Sequence, residues 1–199
     1  MDIFKYGEEE LDYLKKKDEL LGPVIERVGM VERTVTPDLF KALVNSIISQ
    51  QISTKAATTI RNRLLNKIPN ITPDAVAALS IEDIHSCGLS IRKAGYIKSC
   101  ADTVIHGAIN LSELARLSDD EVIKQLSSLN GVGIWTAEML LIFSLQRPDV
   151  VSYGDLGIRK GMMKLYGLES LTKNQFGSYR ERYSPHGSVA SLYLWELSK

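Results

Sequence analysis

Asp155 stands directly before Leu156-Gly-Ile-Arg-Lys-Gly-Met-Met-Lys-Leu165, a stretch that reads as a helix. Aspartate is a favoured N-cap, and the positive end of a helix also favours an ionised carboxylate. Such a group can stabilise a cation that develops in a transition state. Upstream, Gly131-Val132-Gly133 precedes the apolar run Ile134-Trp-Thr-Ala-Glu-Met-Leu-Leu-Ile-Phe143. Two glycines around one apolar residue permit a tight turn and bring the orphan amides of a helix start close to an anion. Backbone amides hold a phosphate without reading a base. Taken alone, the glycines are better read as a plain interhelical turn and Asp155 as a plain cap.

Other residue types are less pointed. Trp135 and Trp195 are suited either to a core or to an aromatic platform. Gln50-Gln51 interrupts an apolar run just before Ser53-Thr54 begins another helix, as a polar turn would. His85, His106 and His186 lack metal-ligand spacing, and Cys87 and Cys100 read as small apolar helix residues. No Ser/His/Asp constellation is legible.

The elements that must position these groups are helical. Leu39, Leu43 and Ile47; Ala56, Ile60 and Leu64; Ile97, Ala101, Val104 and Ile105; and Val122, Leu126 and Leu129 recur at three-to-four spacing. Thr36-Pro37-Asp38 and Thr72-Pro73-Asp74 read as helix starts, Ser118 with Glu121 and Thr172 with Gln175 as capping boxes, and Ser80 and Ser90 as caps. Residues 8 to 30 read as one solvated amphipathic helix, with Leu11, Leu14, Leu21 and Ile25 on its apolar side. Only Asp149-Val-Val-Ser-Tyr153 has the look of a short extended segment. The expectation is an all-α fold.

Composition narrows the classes. With 199 residues and 44% hydrophobic content the chain can bury a sizeable core. Lys plus Arg and Asp plus Glu are equal at 24 each, so a surface for a polyanion must be local. Two cysteines and the start Met-Asp-Ile-Phe-Lys-Tyr-Gly-Glu-Glu-Glu suggest a reduced, intracellular protein without a secretory leader. The longest apolar run, Met139 to Phe143, is too short for a bilayer, so no membrane role is expected.

The combination of Leu129-Asn-Gly-Val-Gly-Ile-Trp-Thr-Ala137 with Ser152-Tyr-Gly-Asp-Leu-Gly-Ile-Arg159 resembles the helix-hairpin-helix superfamily of base-excision DNA glycosylases, most closely its alkylpurine branch, the 3-methyladenine DNA glycosylase II type. Ser49 to Ala57, Gly88 to Ile97 and Ser184 to Trp195 extend the resemblance over most of the chain after about residue 36. It implies a single glycosylase unit over 1–199, a two-lobed helical bundle with approximate lobes 39–126 and 1–38 plus 127–199, and an active site in the interlobe cleft. Asp155 matches the catalytic aspartate. Gly131, Val132, Gly133 and Ile134, with Thr136, match the hairpin that holds DNA. Trp135, Met139 and Trp195 fall at the base pocket, Gln51 at the wedge with Gln50 beside it, and Ser53 and Lys93 at the DNA surface. The carbonyls of Ser127, Leu129 and Val132 match positions that often bind a monovalent cation, Na or K.

The implied activity is extrusion and hydrolytic excision of alkylated purines of the 3-methyladenine and 7-methylguanine type, by a monomer acting on damaged double-stranded DNA, leaving an abasic site. Bifunctional members carry a lysine where this chain has Trp135, so a monofunctional enzyme is expected. No cofactor is required, and the four cysteines of an iron–sulfur cluster are absent. Alternatives are a non-catalytic module that binds DNA lesions or structures, or a glycosylase for deaminated or oxidised bases. Two departures from the branch stand out. Gly154 replaces a frequent aspartate, which puts local helix capping in doubt, and His186-Gly187 replaces an aromatic-arginine pair.

Overall fold

The computed structural model describes residues 2–199, and the regular elements among them are helices. In chain order they are α1 (Glu8–Lys17), α2 (Leu21–Val28), α3 (Leu39–Ser49), α4 (Thr54–Lys67), α5 (Pro73–Ala77), α6 (Ile81–His85), α7 (Ile91–Ile105), a 3₁₀ turn (Leu114–Arg116), α8 (Asp119–Ser127), α9 (Ile134–Phe143), α10 (Leu156–Tyr166), α11 (Lys173–Tyr183) and α12 (Gly187–Ser198). Pairing of the extended type is confined, among the described residues, to one isolated bridge between Ile3 and Thr34. The all-α expectation holds.

Two compact units form, Met1–Val35 with Leu141–Lys199, and Thr36–Leu140. The later boundary falls inside α9, so the turn at Gly131–Gly133 belongs with α3 and α7. The expected lobe 127–199 placed it with Asp155.

In the first unit α10 packs on α12, and α1 packs on α2, α11 and α12. The α10–α12 approach is close enough that a Cβ at Gly161 would lie 2.0 Å from the Leu194 carbonyl oxygen. Residues 8–30 form two helices, not one. The buried Asp18 ends the first, and its Oδ1 accepts from the amides of Leu20 (3.1 Å) and Leu21 (2.9 Å) to start the second. Leu11, Leu14, Leu21 and Ile25 are all buried, so this pair is a structural layer rather than a solvated rod.

In the second unit α5 and α6 pack along α7, which also meets α3. Most of the expected apolar positions are buried, but Ala57 replaces Ala56 in the core, Val104 is half-buried and Ile105 is exposed. Capping follows the chemistry of Ser, Thr and Asp. Ser53, Thr72, Ser80, Ser90, Ser118 and Thr172 each accept from an amide three residues on. The two Thr-Pro-Asp segments diverge. At the second Thr72 caps, whereas at the first Asp38 caps α3 by accepting from Lys41, two residues later than the expected Thr36. Cys87 lies in the turn after α6 rather than in a helix, and Cys100 is buried in α7.

Candidate active site

Asp155 is the N-cap of α10 and is 8% exposed. Its Oδ1 accepts from the Ile158 amide at 2.9 Å and from the indole Nε1 of Trp195 at 2.9 Å. Both the α10 start and the α12 end therefore fix one carboxylate oxygen. The Trp195 ring also stacks on Phe143, with centroids 5.5 Å apart and planes at 30°. Gly157 makes the approach of the indole feasible, because a Cβ there would sit 2.8 Å from Trp195 Cδ1 and 3.1 Å from Asp155 Oδ1. Asp155 supplies the cap itself, so the glycine at 154 leaves α10 capped.

The segment leading into Asp155 is held by α12. Ser188 Oγ donates to the Arg147 carbonyl (2.6 Å) and accepts from the Val150 amide (3.0 Å), while Ser191 Oγ donates to the Val150 carbonyl (2.9 Å). Hydroxyls thus satisfy backbone that a neighbouring strand would otherwise pair, and the expected extended segment 149–153 is irregular. Asp149 accepts from Ser184 Oγ (2.6 Å) and from the Gly187 amide (3.1 Å). A side chain at 187 would collide with Asp149 Oδ1 at 2.6 Å and Val151 Cγ2 at 2.7 Å. His186 meets Tyr13 edge to face, centroids 4.9 Å apart. The departing pair His186-Gly187 therefore serves packing and the path of the segment leading into Asp155.

The second unit carries the hairpin. Val132 N–H donates to the Leu129 carbonyl (3.1 Å) and closes the turn, and Gly131 has φ +82°, a conformation that glycine adopts at low cost. The first helical bond of α9 runs from Ala137 N–H to the Gly133 carbonyl (3.0 Å), so the amide end of α9 begins at the turn. Gly133 is exposed and Ile134 is 62% exposed, an apolar side chain left at the surface beside those amides. Beneath the turn lies Tyr96, where a Cβ on Gly131 would approach Cδ2 to 2.3 Å. Ser127 is half-buried at the end of α8, and Leu129 and Val132 are buried.

Trp135 is 44% exposed, which sets it apart from a core tryptophan. It lines a hollow with the buried Thr136 and with Ser46, Ser49, Gln50 and Gln51. Met139 is half-buried one turn further along α9. Gln51 is exposed and has φ +57°, a left-handed conformation that costs a residue with a Cβ about 1–2 kcal/mol. Gln50, expected at the DNA, turns its Nε2 to the Gly131 carbonyl at 2.8 Å. Lys93, also expected there, donates from Nζ to the carbonyls of Ile48 (2.9 Å) and Gln50 (2.5 Å) at the end of α3. Burial lowers its pKa from the ordinary lysine value, and the charge of Arg92 adds to that. Ser53 is the exposed cap of α4.

The structure thus brings Trp135, Thr136, Gln50 and Gln51 to one hollow, and joins Asp155 to Trp195. Sequence reasoning missed the indole-to-carboxylate bond, the Gln50 strut, and the holding role of Asp149, Ser188 and Ser191. The one sequence signal for the last group is a pair of serines three apart in the otherwise apolar first part of α12, residues 187–195.

Residues 44–185 match the model of the HhH-GPD superfamily base excision DNA repair proteins. The chain is 39% identical over 165 residues to DNA-3-methyladenine glycosylase 1 of Schizosaccharomyces pombe, covering 80% of this chain and 72% of that protein. Among solved structures it is similar to a DNA-3-methyladenine glycosidase from Bacillus halodurans, with a TM-score of 0.89 and 34% identity over 100% of this chain and 93% of that one. It is also similar to a Schizosaccharomyces pombe 3-methyladenine DNA glycosylase in complex with abasic DNA, with a TM-score of 0.81, 34% identity, and coverage of 94% and 95%.

Proposed function

The chain belongs to the HhH-GPD superfamily of base excision DNA repair proteins, and from that premise we propose that it is a monofunctional DNA N-glycosylase that removes alkylated purines of the 3-methyladenine and 7-methylguanine type and leaves an abasic site. The observation that carries this is a buried carboxylate, Asp155, held by two donors, and the sequence adds a tryptophan at 135, the position that the resemblance matches to the lysine of strand-cleaving members.

A purine alkylated at N3 or N7 already carries positive charge and departs as a neutral base, so its departure needs little acid assistance. What remains is access and electrostatics. Extruding the nucleotide costs a few kcal/mol, least at a damaged pair. Insertion of Gln51 into the vacated stack and phosphate binding by the amides from Gly133 and Ile134 onward offset that cost. Trp135, with Met139 one turn along α9, offers apolar and aromatic surface suited to an electron-poor base, worth roughly 0.5–2 kcal/mol per cation–π contact, and Trp195 in the other unit is a second aromatic side chain of the same kind. As the bond between C1′ and the base nitrogen breaks, its electron pair leaves with the base and the sugar becomes an oxocarbenium ion. Asp155 stabilises that cation. Water then adds through oxygen to C1′ and gives up a proton to Asp155 or to solvent. No amine attacks C1′, so no Schiff base forms and the strand stays intact.

The carbonyls of Ser127, Leu129 and Val132 sit at the negative end of α8 and in the turn after it, and neutral oxygen donors of this kind suit a Na or K ion. An ion held there would add positive charge near a bound phosphate. The protein acts as a monomer on duplex DNA in this scheme. Incubation with duplex DNA containing 7-methylguanine or 3-methyladenine tests the function. Free base appears and the strand remains uncut until alkali is added. Salt-dependent binding without base release would instead assign a lesion-binding module, and nicking by the pure protein would overturn the monofunctional assignment.

A further inference from the structure

Lys93 and Tyr96 lie three residues apart near the start of α7 and project from the same side of that helix. Each supports a different functional segment of the same unit. Lys93 Nζ binds the Ile48 and Gln50 carbonyls, which bracket the end of α3. The next residue, Gln51, is the left-handed one. Tyr96 packs under Gly131, so closely that a Cβ there has no room. Gln50 closes the circuit by donating from Nε2 to the Gly131 carbonyl at 2.8 Å.

We propose that Lys93 and Gln50 are positioning residues that preorganise the Gln51 wedge and lock it in register with the phosphate-holding hairpin, so that strand grip and base extrusion act as one rigid device. This rests on the glycosylase reading above. Three features carry it. The last carbonyls of a helix lack intrahelical partners, and a lysine can satisfy them without covering the wedge side chain. A left-handed residue bearing a Cβ persists only when its surroundings over-determine it, and Lys93 supplies bonds immediately before Gln51. The Gln50 side chain is neutral and is engaged with the hairpin backbone, so its part is to join two loops, not to contact DNA.

A wedge matters most where a paired base must be forced out, and least where the opposite position offers no partner. The test is therefore excision of 7-methylguanine from two duplexes, one with cytosine opposite and one with a tetrahydrofuran abasic analogue opposite. Lys93→Met and Gln50→Ala should each lower single-turnover excision from the paired duplex by roughly tenfold. The deficit should shrink to about threefold or less opposite the abasic analogue. Lys93→Arg, which keeps two donors for the carbonyls, should recover most of the paired-duplex rate. Fluorescence of 2-aminopurine placed beside the lesion reports extrusion directly and should fall with the same ranking.

Equal deficits on both duplexes, or no deficit, overturns the coupling while leaving the glycosylase assignment in place. A wild-type protein that releases base from neither duplex removes the glycosylase reading and the coupling with it. Should Lys93→Met fail to fold, Gln50→Ala decides alone, because it truncates a neutral, half-buried side chain outside the hydrophobic core.

Discussion

The indole Nε1 of Trp195 donates to Oδ1 of Asp155 across 2.9 Å. Two residues forty positions apart in the chain are thereby joined at the start of α10, and Trp195 becomes a positioning residue for the carboxylate as well as an aromatic surface. The Ile158 amide on the same oxygen holds the group from a second direction.

Trp195→Phe keeps most of the ring area against Phe143 and removes the one N–H. A hydrogen bond to a charged group is worth about 1.5–3 kcal/mol, so kcat for base release should fall roughly 10- to 100-fold with little change in KM. Single-turnover and steady-state kinetics on the same duplex separate these. An unchanged kcat would leave Trp195 as pocket wall only.

Glycine substitutions on α10 should differ by what they strike. A methyl at Gly157 meets an indole edge that can rotate, so Gly157→Ala should cost about 1–3 kcal/mol and displace Trp195 from Asp155. At Gly161 the obstacle is the Leu194 backbone itself. Gly161→Ala should be the more destabilising of the two, at about 3 kcal/mol or above. Urea denaturation ranks them, and the reverse order would contradict the close α10–α12 packing.

The capping box at Ser80 and Asp83 makes a pH prediction. The Ser80 hydroxyl, with Lys67 and the Ser80 amide, lowers the Asp83 pKa from 3.8 to about 2. A carboxylate depressed on folding contributes stability above its unfolded pKa and loses it as pH falls through the folded one, so the contribution fades between about pH 4 and pH 2. Carboxyl-carbon NMR should place the Asp83 midpoint near the low value. Ser80→Ala should move it up.

Much of this was legible in the sequence because it is local. Caps three residues from their amides, apolar spacing along α3, α7 and α8, and the glycine turn ahead of α9 depend on neighbours along the chain. What was not legible depends on distant partners. Trp195 looked like pocket wall because nothing in its neighbourhood announces a carboxylate. Lys93 was expected at the DNA surface, and an isolated lysine in the sequence gives no sign that it also bonds two carbonyls at the end of α3. The break at Asp18 was missed because heptad-like spacing continues through it, while the capping bonds to Leu20 and Leu21 require the chain to leave the helix first. Thr36 and Thr72 share a motif, and the nearer aspartate captured the cap in only one of them.

Burial pushes the Cys100 thiol up to about 12 and also raises Cys87. Both should react slowly with a disulfide reagent at pH 8 in the native protein and fully once unfolded. Rapid native reaction of Cys100 would show that α7 opens locally.

In the proposed mechanism Asp155 supplies the charge that stabilises the oxocarbenium sugar as the base departs. Asp155→Asn is the direct measurement, because asparagine caps helices as well as aspartate and its side-chain oxygen can still accept from Ile158 and Trp195. Release of 7-methylguanine from duplex DNA by the folded variant should fall at least about a hundredfold, with DNA affinity retained. Release at the wild-type rate would contradict the assignment of Asp155 as the catalytic carboxylate.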